Sequence, residues 1–304
     1  MENILDYSKE VENALKEDRP VVALESTIIA HGFPYPDNIK LAKNLENQAR
    51  DNGITPATIA IIDGKIKVGL TKKELEFVAE SKDVKKASLR DLPVILANNY
   101  NGATTVASTM QIAYLAGIDV FVTGGIGGVH REAQKTFDIS ADLKALSTFP
   151  VTVVCAGAKS VLDLPKTKEV LESKGVPVLG YKTEEFPAFY LRESGLKVDY
   201  KVNNEKEVVD IMNYNYLLEN DNGILVTVPI PQKDQLDRDE FEQIINLLTK
   251  EINEKDIKGK EITPYLLGRI KDETKGESVK ANISLVKNNL KAGCKIAKEL
   301  KERY

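Results

Sequence analysis

Residues 151–160 read VTVVCAGAKS. The run Val151 to Cys155 is apolar and rich in β-branched residues, with no polar alternation. Such a run predicts a strand covered on both faces, as in a sheet sandwiched between helices. Gly157 ends it, and Lys159 follows where the chain leaves the core. Lysine is seldom fully buried. A lysine beyond a strand end usually turns to solvent. One held in a pocket loses proton affinity and becomes a nucleophilic amine.

The same pattern recurs along the chain. PVVALEST, IDVFVTGG, VPVLGY and GILVTVPIP read as further strands. Between them lie helical periods. PDNIKLAKNLENQARDNG puts Ile39, Ala42, Leu45 and Ala49 on one face and stops at Gly53. TTVASTMQIAYLAG has Thr104 or Thr105 as a cap and Gly117 as its end. SVKANISLVKNNLKAGCKIAKEL keeps Ile283, Val286, Leu290, Cys294 and Ala297 in helical register. ATIAIIDGKIKVGL is two β-rich runs joined at Asp63-Gly64, a hairpin signal. The expected fold is α/β: a single domain over residues 1–304 with a mixed, largely parallel central sheet covered by helices on both faces. A more polar helical subregion is expected around residues 193–260.

The chain has 304 residues, 42% hydrophobic and 29% charged, with a net charge of −4. No basic block offers a phosphate-backbone footprint, so no nucleic-acid partner is expected. No apolar run is long enough to span a bilayer, and MENILDYSKEVENALKEDRP lacks the basic start and apolar core of a secretory signal. Cys155 and Cys294 have no metal-ligand spacing and read as reduced core thiols. Together these features predict a cytoplasmic protein.

Ligands of open α/β sheets gather beyond the carboxyl ends of the strands. Three such ends carry polar groups here. In ALESTIIAHGFPYP, Glu25 follows a strand directly, then come Ser26, Thr27, His31, Gly32 and the stiffening Pro34 and Pro36. A desolvated carboxyl has a raised pKa and can donate a proton near neutrality. In VFVTGGIGGVHREAQKTFDISADL, Gly124, Gly125, Gly127 and Gly128 leave backbone amides accessible to an anion. The spacing matches neither a dinucleotide fingerprint nor a Walker loop. His130, Arg131, Asp138, Ser140 and Asp142 follow. A solvated acidic loop is the default for Asp138 and Asp142; a metal there would be magnesium or manganese rather than zinc. The third end carries Lys159. Lys86, Ser88 and Arg90, and the helix start at Thr104 and Thr105, are further candidates for a phosphate.

The segments VALESTIIAHGFPYP, KASLRDLP, NGATTVASTM, TGGIGGVHR, TFDISADL, VVCAGAKSVLDLP and ANISLVKNN resemble the pseudouridine-5′-phosphate glycosidase family, also called indigoidine synthase A-like, from about Val21 to Ala292. The resemblance implies reversible cleavage of the C–C bond between ribose C1′ and uracil C5 of pseudouridine 5′-phosphate. It also implies a bound divalent cation, commonly manganese, and a homotrimer. Carried over by motif, Lys159 is the nucleophile and Glu25 the proton donor. Asp138 binds the metal. Ser140, Ala141 and Asp142 meet substrate, Lys86 and the backbone at Val106 hold the phosphate, and Asn282 faces the base. His130 and Thr123 support them. Two other readings share parts of this site. An imine-forming aldolase or lyase on another sugar phosphate needs Lys159 but no base pocket. A non-enzymatic sugar-phosphate sensor has no use for a Glu25–Lys159 pair.

Overall fold

The computed structural model describes residues 4–255, 257 and 262–303. Among them, eleven strands form one sheet: β1 (Leu5–Tyr7), β2 (Val21–Leu24), β3 (Thr55–Ile62), β4 (Lys65–Val68), β5 (Val84–Ala87), β6 (Asn101–Thr104), β7 (Val120–Val122), β8 (Thr152–Cys155), β9 (Val178–Tyr181), β10 (Tyr200–Val202) and β11 (Ile224–Thr227). The order is β1-β4-β3-β2-β7-β8-β11-β9-β10, with β6 paired to β3 and β5 to β6. Every pairing is parallel except β3–β4 and β3–β6. This is the mixed, largely parallel sheet that the apolar runs predict.

Every residue of β2, β7, β8, β9 and β11 is buried. Successive strand side chains point to opposite faces, so burial at every position requires cover on both. Helix Glu277–Arg303 packs on Asp37–Asp51, Glu205–Leu217 and strands β2, β7 and β8. Helix Val106–Leu115 packs with Ala141–Leu146 and against β2 and β7. Each Val, Ile or Leu so buried contributes roughly 1.5–3 kcal/mol relative to exposure. The strands are therefore firmly held, and the turns beyond them are displayed on a rigid frame.

β3 joins two parts of the sheet. Thr55–Thr58 runs parallel to β2, whereas Ile59–Ile62 runs antiparallel to β4, and Ala60 and Ile61 pair with β6 on the other side. β2 stops at Leu24, and β6 takes its place beside β3. This exchange brings the chain after β2 against the end of β6. The β3–β4 turn has Asp63 at φ 49° and Gly64 at φ 69°. Two positive φ values are the primed-turn geometry that Asp-Gly favours.

Two expectations change. Thr104 is not a helix cap: it lies buried in β6, and its hydroxyl donates to the Ile59 carbonyl at 2.8 Å. Thr105 caps the helix, with its side chain and Ser108 in a reciprocal box. The stretch 193–260 is only partly helical. It supplies the edge strand β10 and the interior strand β11 between helices Glu205–Leu217 and Arg238–Glu254. The apolar Ile224–Thr227 is buried between β8 and β9, so the polar stretch is threaded through the sheet. Cys155 and Cys294 are free and buried, and burial pushes each thiol up to about 12. No helix among the described residues is long and apolar enough to cross a membrane.

Candidate active site

The turn after β2 is tied down by its hydroxyls. Ser26 Oγ accepts the Thr104 N–H at 2.9 Å, and Thr27 Oγ1 donates to the Thr104 carbonyl at 2.8 Å. Both side chains are therefore committed to β6, and Glu25 is fixed in front of them. Thr123, at the end of β7, donates its hydroxyl to Glu25 Oε1. Burial raises the Glu25 pKa; Lys159 is the strongest opposing charge, with Thr123 and Lys86 also pulling it down and Asp142 pushing it up. A carboxyl held in this way keeps its proton to higher pH than an exposed glutamate.

Lys159 leaves the β8 turn half-buried, its N–H donating to the Ile126 carbonyl at 3.1 Å. Its ammonium makes no ion pair or side-chain hydrogen bond with any described residue. The lysine does not escape to solvent, and its charge acts on Glu25, His130 and Cys155. Gly157 lets this turn form: it has φ 80°, and a Cβ there would collide with the Pro187 carbonyl oxygen. The colliding backbone belongs to segment 185–191, which lies over the glycine loops. The Phe189 ring rests on Gly125, and Phe189 N–H donates to the Ala156 carbonyl at 3.0 Å.

Asp142 is buried, and each of its oxygens accepts a backbone N–H. Oδ1 takes Ala107 at 3.0 Å and Oδ2 takes Gly127 at 2.7 Å. It thus binds the start of helix Val106–Leu115 to the glycine loop. Ser140 caps helix Ala141–Leu146, accepting the Asp142 N–H at 3.2 Å, and Ala141 opens that helix. Gly127 must lack a side chain, because a Cβ there would collide with Ser140 Oγ.

Both Asp142 oxygens are engaged by backbone donors. Asp138 is different. Its Oδ2 is buried without a hydrogen-bond partner and stands 4.0 Å from His130 Nδ1. Burial lowers the His130 pKa, Asp138 opposes that shift, and Lys159 and Lys86 reinforce it. No group of three or more His, Cys, Asp or Glu among the described residues could cage a metal. A single orphaned carboxylate oxygen suits a hard cation that keeps most of its waters, and does not suit zinc.

Lys86 lies on β5, in register with Ala103 of β6, and Thr105 N–H donates to the Ala87 carbonyl at 3.1 Å. Lys86 and the helix start at Val106 are thereby neighbours. The Lys86 charge is felt at Glu25, His31 and His130. Arg90 is not part of this group: its side chain is 83% exposed and lies 3.9 Å from Asp91. Ser88 spends its N–H on Asp91 in a local turn. His31 is exposed in the π-helical turn Ile28–Gly32.

From the last helix, Asn282 presents Oδ1 beside Gly124, buried and without a partner. Seven residues on, Asn289 is fully buried and donates Nδ2 to the carbonyls of Thr123 at 2.9 Å and Gly124 at 3.1 Å. Sequence reading missed Asn289 and segment 185–191. Asn289 carried one usable signal, a polar residue on the apolar face that Asn282 shares.

The sequence model of a family described as "Indigoidine synthase A like protein" matches residues 10–299. The chain belongs to the indigoidine synthase A-like family. Within it, a protein of Caldanaerobacter subterraneus subsp. tengcongensis named pseudouridine-5′-phosphate glycosidase is 58% identical over 304 residues, covering 100% of this chain and 99% of its own. A Staphylococcus aureus protein of the same name is 54% identical over 297 residues, covering 98% and 97%. Among solved structures, the prealnumycin C-glycosynthase AlnA in complex with ribulose 5-phosphate matches with a TM-score of 0.91 at 37% identity, covering 99% of this chain and 98% of that one. An indigoidine synthase A-like protein of Thermotoga maritima matches at TM-score 0.88 and 34% identity, covering 98% and 96%. This indigoidine synthase A-like chain is an enzyme, as its relatives are.

Proposed function

We propose that the protein cleaves the C–C glycosidic bond of pseudouridine 5′-phosphate reversibly, giving uracil and ribose 5-phosphate. The observation that carries the reading is the pair beyond the ends of β2 and β8, the strands on either side of β7: an unpartnered, half-buried Lys159 and a half-buried Glu25 whose proton affinity burial raises. The names of relatives more than 50% identical over nearly their whole length agree with it.

The leaving atom is carbon, so loss of the base from a closed ring demands a poor carbanion. Opening the ribose removes that difficulty. Glu25 gives a proton to the ring oxygen as the neutral Lys159 amine bonds to C1′ and the C1′–O bond breaks. The nitrogen sheds a proton to Glu25. Its lone pair then expels uracil C5, which takes up that proton, and a lysine–ribose 5-phosphate imine is left. Water hydrolyses the imine. Lys86 and the N–H groups opening helix Val106–Leu115 hold the phosphate, where the dipole and the ammonium act together. Asn282 Oδ1 accepts an N–H of the base. Ser140, Ala141 and Asp142 shape the sugar side.

Asp138 would hold a divalent cation, manganese in this proposal, with water completing its shell. Such an ion supplies charge that orients the substrate and its bound waters. The enzyme works in the cytoplasm as a homotrimer on this reading.

Borohydride added during turnover should freeze a ribose 5-phosphate adduct that peptide mapping finds on Lys159. An adduct on another residue, or full turnover by Lys159→Ala, overturns the mechanism. A second reading, an imine-forming C–C bond enzyme on a different sugar phosphate, is favoured by the ribulose 5-phosphate bound in the AlnA structure. Uracil release, followed by absorbance with pseudouridine 5′-phosphate as the only substrate, separates the two.

A further inference from the structure

A second concave site of about 350 Å³ lies where the carboxyl ends of β9 and β11 meet the last helix. Its charged lining consists of Lys182, Arg192, Lys291 and Lys295, and no carboxylate lines it. None of these four cations is in an ion pair with a described residue. The same helix neutralises its other ends differently: Lys280, Lys298, Lys301 and Arg303 each stand beside a carboxylate. Lys291 and Lys295 are four residues apart on one helical face, a like-charge spacing that costs stability unless an anion offsets it.

Arg192 and Lys182 are held in place, while Lys291 and Lys295 are exposed on the helix surface. Arg192 is half-buried, and its Nη1 donates to the Ile230 carbonyl at 2.5 Å, which leaves its other N–H groups without a described partner. Lys182 has φ 59°, a left-handed conformation that a lysine adopts only under constraint, and its N–H donates to the Val202 carbonyl at 2.7 Å. Its ammonium stands 5.1 Å from the centre of the Tyr181 ring. Glu205 accepts the Tyr181 hydroxyl at 3.0 Å without lining the pocket, and the charges of Lys295 and Lys182 reach it, helping to lower its pKa. Tyr181, Val228 and Pro229 supply an apolar wall.

We infer that this pocket binds a small phosphorylated molecule, with the phosphoryl group among the four cations and the remainder on the Tyr181–Pro229 wall. A fixed guanidinium fork with several ammonium groups is the donor set that phosphate oxygens use. The pocket shares no lining residue with the Glu25–Lys159 centre. It is nevertheless tied to it mechanically. Asn288 donates to the Pro229 carbonyl at 3.1 Å, and the next residue, Asn289, holds the carbonyls of Thr123 and Gly124.

Calorimetric titration of the full-length protein with inorganic pyrophosphate tests the site. The wild type should bind saturably. The double variant Lys291→Glu with Lys295→Glu should bind at least about tenfold more weakly, the loss expected when charge-assisted contacts are removed. That binding should persist in Lys86→Ala, and basal uracil release should be unchanged in the double variant. If circular dichroism shows that the reversal perturbs folding, Lys291→Gln with Lys295→Gln takes its place and should still weaken binding several-fold. No saturable binding to the wild type overturns the proposal. So does binding that vanishes in Lys86→Ala and survives in the double variants, since the ligand then sits at the active site. Retention of duplex DNA with no response to pyrophosphate overturns it in favour of a polyanion surface.

Discussion

Glu25, directly after β2, and Asp142, in the first turn of helix Ala141–Leu146, both accept hydrogen bonds from neighbouring elements, and the two are treated in opposite ways. Asp142 receives a backbone N–H on each oxygen, from Ala107 and Gly127. The side chain acts as a clamp between two elements. Glu25 receives the Thr123 hydroxyl, and burial raises its pKa despite Lys159. One carboxylate is spent on architecture. The other holds its proton to higher pH than an exposed glutamate. The donors and the burial around each carboxylate set this difference.

The contrast is breakable. Glu25→Gln should lower the rate of uracil release by roughly 10²–10⁴-fold, the usual worth of a positioned general acid. A rate close to wild type would remove the distinction between the two carboxylates. Asp142→Asn should instead act on stability. The amide can accept only on its oxygen, so either Ala107 or Gly127 is left with a buried, unpaired N–H, at a cost of about 1–3 kcal/mol. Urea unfolding at neutral pH measures that loss, and an unchanged midpoint would show that the clamp is not holding the two elements.

A smaller effect is the pH dependence of stability. Because the Glu25 pKa is raised on folding, its contribution is fully present below the unfolded value, about 4.3 for glutamate, and is lost as pH rises through the folded value. Wild-type stability should therefore fall relative to Glu25→Gln as pH increases across that window. Parallel urea curves at all pH values would mean that the carboxyl is not desolvated. Arg90→Ala marks the floor. With its side chain 83% exposed, the change should stay within about 0.5 kcal/mol and leave turnover untouched.

The strand runs were legible because burial on both faces writes itself into every residue. VVAL, VFV, TVVC and ILVT have no polar position to confuse the reading. β5 and β6 were not legible. Their sequences, VKKA and NGAT, are short, carry two lysines or a glycine, and exist as strands only because β3 offers a free edge. The candidate site divides the same way. Glu25 and Lys159 stood out because charged side chains directly after apolar strands are costly to place. Asn289 is an amide inside a long amphipathic helix, and its place on the apolar face is the one local sign that sets it apart from a solvent-facing asparagine. Its role comes from the carbonyls of Thr123 and Gly124, 166 and 165 residues away. Phe189 was hidden for a related reason. The glycines at 125 and 157 announced that something approaches the backbone closely, without saying what.

The sequence by itself determined the α/β class and the strand ends that carry polar side chains, Glu25 and Lys159 among them. These follow from local composition and periodicity, because hydrophobic pattern and turn chemistry act over a few residues. The tertiary structure alone decided which hydroxyl holds Glu25, that Asp142 is a clamp while Asp138 keeps an orphaned oxygen, and that Lys182 and Arg192 share one pocket with Lys291 and Lys295 about a hundred residues on. Hydrogen-bond supply and desolvation depend on what other segments bring within about 3 Å, and the chain's order does not encode that distance.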